Sequence, residues 1–165
     1  MRDRWREREV PGCGSGSVVM AAGKNTEVQP DFAMDELCIF CPHRIENKIL
    51  AEYGTVVAIR DEYPVTQGHL LILTRRHTPD LFHMTLEEQQ DMLALVRILR
   101  DQALEKDASI TGFNIGMNCG VSAGQTIPHA HLHFIPRRDG DADRPRGGVR
   151  GVIPGKQGYP KEGES

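Results

Sequence analysis

H-A-H-L-H-F-I, residues 129 to 135, alternates His129, His131 and His133 with Ala130, Leu132 and Phe134. Successive side chains of a β-strand point to opposite faces, so this spacing predicts a strand with imidazoles on one face and apolar groups on the other. One face serves the core and the other serves chemistry. Imidazole exchanges protons, binds metals and attacks electrophiles near neutral pH. Three of the seven histidines fall within these seven residues, a concentration that a histidine-rich surface strand or a chance metal-binding tract would also have, though neither requires the alternation.

The chain enters this strand through G-F-N-I-G-M-N-C-G-V-S-A-G-Q-T-I-P, residues 112 to 128. Gly120 and Gly124 permit turns that a β-carbon hinders and let backbone amides approach an anion. Asn118, Gln125 and Thr126 add side-chain donors, which together describe a phosphate pocket beside an imidazole row. Taken together, the motif and loop resemble the histidine triad (HIT) family of nucleotide hydrolases and transferases, whose motif is His-x-His-x-His followed by two apolar residues. The resemblance runs from about Cys38 to Tyr159.

The resemblance implies a role for each residue. His131, the middle histidine, is the expected nucleophile at the α-phosphorus of a nucleotide, forming a nucleotidyl-imidazole that water then hydrolyses. Neutral imidazole is competent for this at pH 7, and one hard displacement becomes two easier ones. His133 is expected to contact the phosphate or the bridging oxygen. Asn118, Gly124 and Thr126 are expected to hold nonbridging oxygens and the leaving group, with Gln125 belonging to the same loop. Preorganised donors of this kind are usually a large catalytic contribution.

Upstream, T-V-V-A-I-R-D (residues 55 to 61) and H-L-L-I-L-T-R-R-H (69 to 77) are β-rich runs joined by a connection containing Pro and Gly, so they read as neighbouring strands. By the resemblance, Asp61 at the end of the first receives the ribose hydroxyls, and His69 lies near the nucleotide. An exposed turn aspartate and an ordinary strand-start histidine are the plainer readings of the same two residues. Ile39, Phe40 and Ile59 are candidates, by position, for apolar contact with a base.

C-I-F-C, residues 38 to 41, has the spacing at which two thiolates grip one zinc ion, although C-x-x-C also serves redox chemistry or nothing. A structural tetrahedral site needs two more ligands. The resemblance supplies them as His77 and His129, with His43 as a possible substitute. Structural zinc is therefore the expected cofactor, and no organic cofactor is implied. His83 reads as packing or surface, Cys119 as a small packed residue, and Cys13 has no evident partner.

A chain of 165 residues suits one domain with flexible ends. Its net charge of −3 makes no global electrostatic case for nucleic acid, and no apolar run has the length of a membrane span. Two cysteines in a metal-type pair fit a reducing cytoplasm better than a disulfide framework. Residues 1–33 mix charges, glycine and a short apolar run, which predicts a disordered tail rather than a signal peptide, with Met20 or Met34 as alternative starts. Residues 34–136 form the expected domain, including the zinc knuckle. T-L-E-E-Q-Q-D-M-L-A-L-V-R-I-L-R-D-Q-A-L-E-K-D (85 to 107) reads as the principal helix: Thr85 and Glu88 make a capping box, and Met92, Val96, Leu99 and Ala103 recur at helical spacing. Arg97, Arg100 and Glu105 form its solvated face. Thr78 and Pro79 suggest a short helical turn, with Thr78 capping.

With strands near 49–52 and 113–117 added, the fold class is α+β: an antiparallel sheet of about five strands, one main helix and short helical turns, as in HIT-like folds. Residues 137–165 read by composition as a loop or solvated tail. Related bacterial proteins carry a similar segment ending near I-P-G-K, which implies packing on the domain or on a dimer partner. Arg146, Arg150 and Lys156 could then meet distal phosphates or a second subunit. The family also implies a homodimer. The leading functional expectation is hydrolysis of a nucleoside 5′-phosphate derivative such as diadenosine tetraphosphate. A purine nucleoside phosphoramidase and a non-catalytic nucleotide-binding or interaction module are the alternatives. The His-Pro-His-Gln of the related uridylyltransferases is missing.

Overall fold

The computed structural model describes residues 36–159. The expected tail at 1–33, Cys13 and the alternative starts Met20 and Met34 lie outside the described residues. Five strands, β1 (Ile49–Tyr53), β2 (Val56–Arg60), β3 (Leu70–Thr74), β4 (Ile110–Gly116) and β5 (His131–Arg138), form one antiparallel sheet in the order β1-β2-β3-β5-β4. The last strand is thus inserted between β3 and β4. That insertion brings the histidines to the middle of the sheet, with Leu71 opposite His133 and Leu73 opposite His131.

Both faces of the sheet are covered. Val56, Ala58, Ile72 and Phe134 pack against Met92, Leu95 and Leu99 of α2 (Leu86–Lys106). Val57, Ile59, Leu71 and Leu73 pack against Cys38, Phe40, Cys41 and Ile45, the last on the short helix α1 (Pro42–Ile45). Strands covered on both faces need continuous apolar runs, which explains why V-V-A-I and L-I-L lack alternation. Full burial of a side chain such as Leu95 stabilises by roughly 1.5–3 kcal/mol.

Helix α2 begins as its sequence predicts. Thr85 Oγ1 accepts from Glu88 N at 3.1 Å, and Glu88 Oε2 accepts from Thr85 N at 2.7 Å. The same carboxylate receives Arg76 Nε at 3.0 Å and Arg76 Nη2 at 2.8 Å, so one buried glutamate both caps the helix and holds the end of the β3 region.

Two expectations shift. The turn predicted from Thr78 forms instead over Leu81–His83, with Asp80 as its cap accepting from Phe82 N at 3.0 Å. Thr78 is buried and its carbonyl accepts from Ala130 N at 2.6 Å, which ties it to the approach to β5 and leaves capping to Asp80. The strand expected from residue 129 begins at His131, because His129 N turns back to Ile127 O at 2.8 Å. No helix of the described residues is long and apolar enough to cross a membrane.

Candidate active site and metal centre

The turn at His129 separates the three histidines into two sites. His129 leaves the strand face and enters a cluster with Cys38, Cys41 and His77, whose donor atoms all lie within 4.8 Å of one another. Its Nδ1 stands 3.4 Å from Cys38 Sγ and 3.9 Å from Cys41 Sγ, while His77 Nδ1 stands 3.4 Å from Cys41 Sγ. A tetrahedral ion with ordinary zinc bond lengths places sulfur and nitrogen ligands about 3.5 Å apart, so the donor set fits. His129 Nε2 donates to Thr74 O at 2.8 Å, which leaves Nδ1 with its lone pair facing the thiols. Burial also pushes His129 down to about 4, keeping the ring neutral and able to ligate.

His131 and His133 remain on the sheet face and line a cavity of about 550 Å³, a size suited to a small ligand. His131 Nδ1 donates to the backbone carbonyl of His129 at 2.6 Å, so Nε2 carries the lone pair. For His133 the tautomer follows from a chain of bonds. Val65 N donates to His69 Nδ1 at 3.3 Å, so the proton of neutral His69 is on Nε2, and that atom lies 3.0 Å from His133 Nδ1. His133 therefore accepts at Nδ1 and carries its own proton on Nε2. Asp61 Oδ2 lies 3.4 Å from His69 Nε2 and 3.8 Å from His133 Nδ1.

The cavity brings together Asp61, His69, Asn118, Gly124, Thr126, His131 and His133, and on its apolar side Ile39, Phe40 and Ile59. Gly124 has φ +87°, a left-handed conformation that shapes the loop, but its amide donates to Val121 O and that of Gln125 to Gly120 O. The Asn118 and Thr126 side chains also line the cavity and carry groups able to donate hydrogen bonds. Gln125 itself does not line the cavity. Its Nε2 donates to Pro79 O at 2.6 Å and Ile127 O at 3.0 Å, and its Oε1 accepts from Gly120 N, so it clamps the loop.

The HIT domain model matches residues 43–140, which carry the triad, the loop and both strands before them. The chain belongs to the HIT-domain family. This HIT protein is 42% identical over 78 residues to a bis(5′-nucleosyl)-tetraphosphatase (asymmetrical) of Schizosaccharomyces pombe, covering 47% of this chain and 42% of that one. It is 32% identical over 135 residues to an adenylylsulfatase of Arabidopsis thaliana, covering 80% of this chain and 65% of the other. Among solved structures, a Zn-bound histidine triad family protein of Mycobacterium smegmatis is similar at a TM-score of 0.58 and 34% identity, over 64% of this chain and 78% of that one. The HIT protein thus spans less than two thirds of either named enzyme.

In this HIT protein, burial lowers the pKa of His133 and of His69, partly opposed in each by the Asp61 carboxylate. Both rings are held neutral for hydrogen bonding near pH 7. Other expected residues stay apart: His43 is exposed, with Nε2 at 3.4 Å from Glu36 O, and His83 pairs with Asp80 at 2.7 Å. Cys119 is half-buried with a free thiol. Sequence reasoning missed Lys48, Glu62, Tyr63 and Val65 around the cavity. The Lys48–Glu62 ion pair, at 2.9 Å, joins residues fourteen apart across the first hairpin, and no local pattern marks it.

Proposed function

We propose that this protein is a nucleotidyl hydrolase that cleaves at the α-phosphate of a nucleoside 5′-phosphate derivative, with a dinucleoside polyphosphate as substrate. The observation that carries the reading is the bond from His131 Nδ1 to the His129 carbonyl, because it aims an unprotonated Nε2 into the cavity. His131 Nε2 forms a bond to the α-phosphorus as the phosphorus–oxygen bond to the leaving group breaks. The ring keeps its Nδ1 proton, held by His129 O. Water then attacks phosphorus, the phosphorus–nitrogen pair returns to Nε2, and neutral imidazole leaves; the water protons pass to the nucleoside monophosphate and solvent. His133 Nε2–H, Asn118 and Thr126 donate to phosphate oxygens as charge develops. Asp61 accepts from the ribose hydroxyls, and Ile39, Phe40 and Ile59 meet a purine.

Cys38, Cys41, His77 and His129 would hold zinc as a structural cross-link between the amino-terminal knuckle and the approach to β5. A homodimer formed through sheet and helix belongs to the same reading: β4 is an edge strand, and Leu86 and Leu93 are exposed on α2. A pair of thiols at a metal site suits a reducing compartment such as the cytoplasm.

A phosphoramidate is the second substrate class that the same triad serves. A binding module without catalysis leaves the aimed lone pair of His131 unexplained. The test is product release from diadenosine tetraphosphate and from an adenosine phosphoramidate by wild type and His131→Ala. Turnover of the tetraphosphate that vanishes in the variant supports the reading; undiminished turnover in the variant refutes it.

A further inference from the structure

Tyr63 lines the cavity that holds His131 and His133, yet the residue is 87% exposed. A large aromatic ring therefore stands at the rim of the proposed active site with most of its surface in water, where a flat apolar ligand face that covers it is favoured. The chemical steps at His131 make no use of it.

The connection between β2 and β3 that carries the ring is fixed along its length. Tyr63 N donates to Asp61 Oδ1 at 2.7 Å, and Pro64 restricts Tyr63 to extended backbone. Lys48 Nζ holds Glu62 Oε1 at 2.9 Å, Val65 N donates to His69 Nδ1 at 3.3 Å, and His69 N donates to Thr66 O at 3.1 Å. Asp61 N donates to His69 O at 3.3 Å, which closes the two ends of the connection against each other. A ring on such a frame gives up little freedom when a ligand stacks on it, because its backbone is already ordered.

Asp61 decides which part of a nucleotide the ring meets. In the proposed reaction its carboxylate accepts from the ribose hydroxyls, and the same carboxylate anchors the main chain of Tyr63. The base is one glycosidic bond from that ribose, whereas the leaving group lies beyond the α-phosphate at His131. Ile39, Phe40, Ile45, Ile59 and Leu71 give the cavity an apolar wall for one face of the base.

We infer that Tyr63 is a specificity-determining residue whose ring stacks on the face of the nucleotide base that this wall leaves open to water. The inference rests on the proposed function for the orientation of the nucleotide, and it adds a contact that selects by the area of the base. A purine presents two fused rings and a pyrimidine one, so the contact favours purines. Calorimetry on the full chain compares AMP, CMP and ribose 5-phosphate with wild type, Tyr63→Ala and Tyr63→Phe, and thermal melts establish that each variant folds. Tyr63→Ala should bind AMP about tenfold more weakly, the scale of one base–aromatic stack, lose less on CMP, and bind ribose 5-phosphate as wild type does. Tyr63→Phe should keep the AMP affinity, since the stack needs the ring and not the hydroxyl. Trp5 is the chain's one tryptophan, so Trp5→Phe/Tyr63→Trp carries its sole indole on the rim; AMP should quench that fluorescence and ribose 5-phosphate should not. Unchanged AMP affinity in Tyr63→Ala, an equal loss on ribose 5-phosphate, or a wild type that does not bind AMP overturns the stack. A wild type that binds AMP through Tyr63 but turns over neither diadenosine tetraphosphate nor the phosphoramidate refutes the hydrolase reading and still supports the stack.

Discussion

The backbone carbonyl of His129 accepts the Nδ1 proton of His131 at 2.6 Å, while the His129 ring places its own Nδ1 3.4 Å from Cys38 Sγ. One residue therefore belongs to both sites: its side chain is a candidate metal ligand and its main chain sets the tautomer of the proposed nucleophile. Displacing His129 disturbs the aim of His131 even when no atom of the cavity is changed.

Replacing His131 by alanine should remove turnover. Because the ring is buried and its Nδ1 donates to the His129 carbonyl, the variant should still fold but lose roughly 1–3 kcal/mol; product formation and a thermal melt on the same sample check both parts.

Cys38→Ser should lower bound zinc, measured by elemental analysis, and destabilise the protein by several kcal/mol, since structural zinc contributes on the order of 10 kcal/mol in small metal-dependent domains. A chelator should produce the same downward shift in the wild-type melting temperature. Full stability in a metal-free wild type would count against the zinc assignment.

His69 Nε2 lies 3.0 Å from His133 Nδ1, so in the proposed reaction His69 positions His133. His69→Ala frees His133 to exchange tautomers and should lower kcat about tenfold with little change in KM, the scale of one hydrogen bond that matters mainly in the transition state. His69→Gln, whose amide can donate, should recover part of the loss. Equal kinetic constants in all three proteins would dispose of the relay.

Glu88→Ala should destabilise by about 1–3 kcal/mol, because it removes the charge-assisted bonds to the partly exposed Arg76 guanidinium and opens the capping box of α2. Urea unfolding measures this. Glu87→Ala, one residue away and exposed, is the control and should cost far less.

Stability of the metal-free protein should be flat above pH 6.5 and fall below it. The unfolded chain takes up protons near 6.5, whereas burial holds His129 unprotonated down to about 4 and also lowers His133 and His69. The folded-state values are depressed, so their stabilisation is present above the unfolded value and is lost as pH falls through the folded one. His129 alone contributes a loss of roughly 3 kcal/mol across that window. Denaturant titrations at several pH values, with chelator present, test the direction.

The amino-acid sequence by itself determined the elements and the chemistry of the face. Period-two alternation in 129–135 separates imidazoles from apolar groups, Thr85 and Glu88 mark the start of α2, and C-x-x-C marks a thiol pair, because each signal acts over a few bonds. Tertiary structure decided how those signals combine. Inserting β5 between β3 and β4 sets His133 against His69, sixty-four residues earlier, and the turn at Ile127 redirects His129 from the strand face to Cys38, ninety-one residues away. It also gave Gln125 to the loop rather than to the cavity, and gave capping of the turn after β3 to Asp80 rather than Thr78. Local spacing sets the direction of a side chain along its own strand. Which tautomer a histidine holds, and which partner it meets, depends on groups that only folding brings within hydrogen-bond distance.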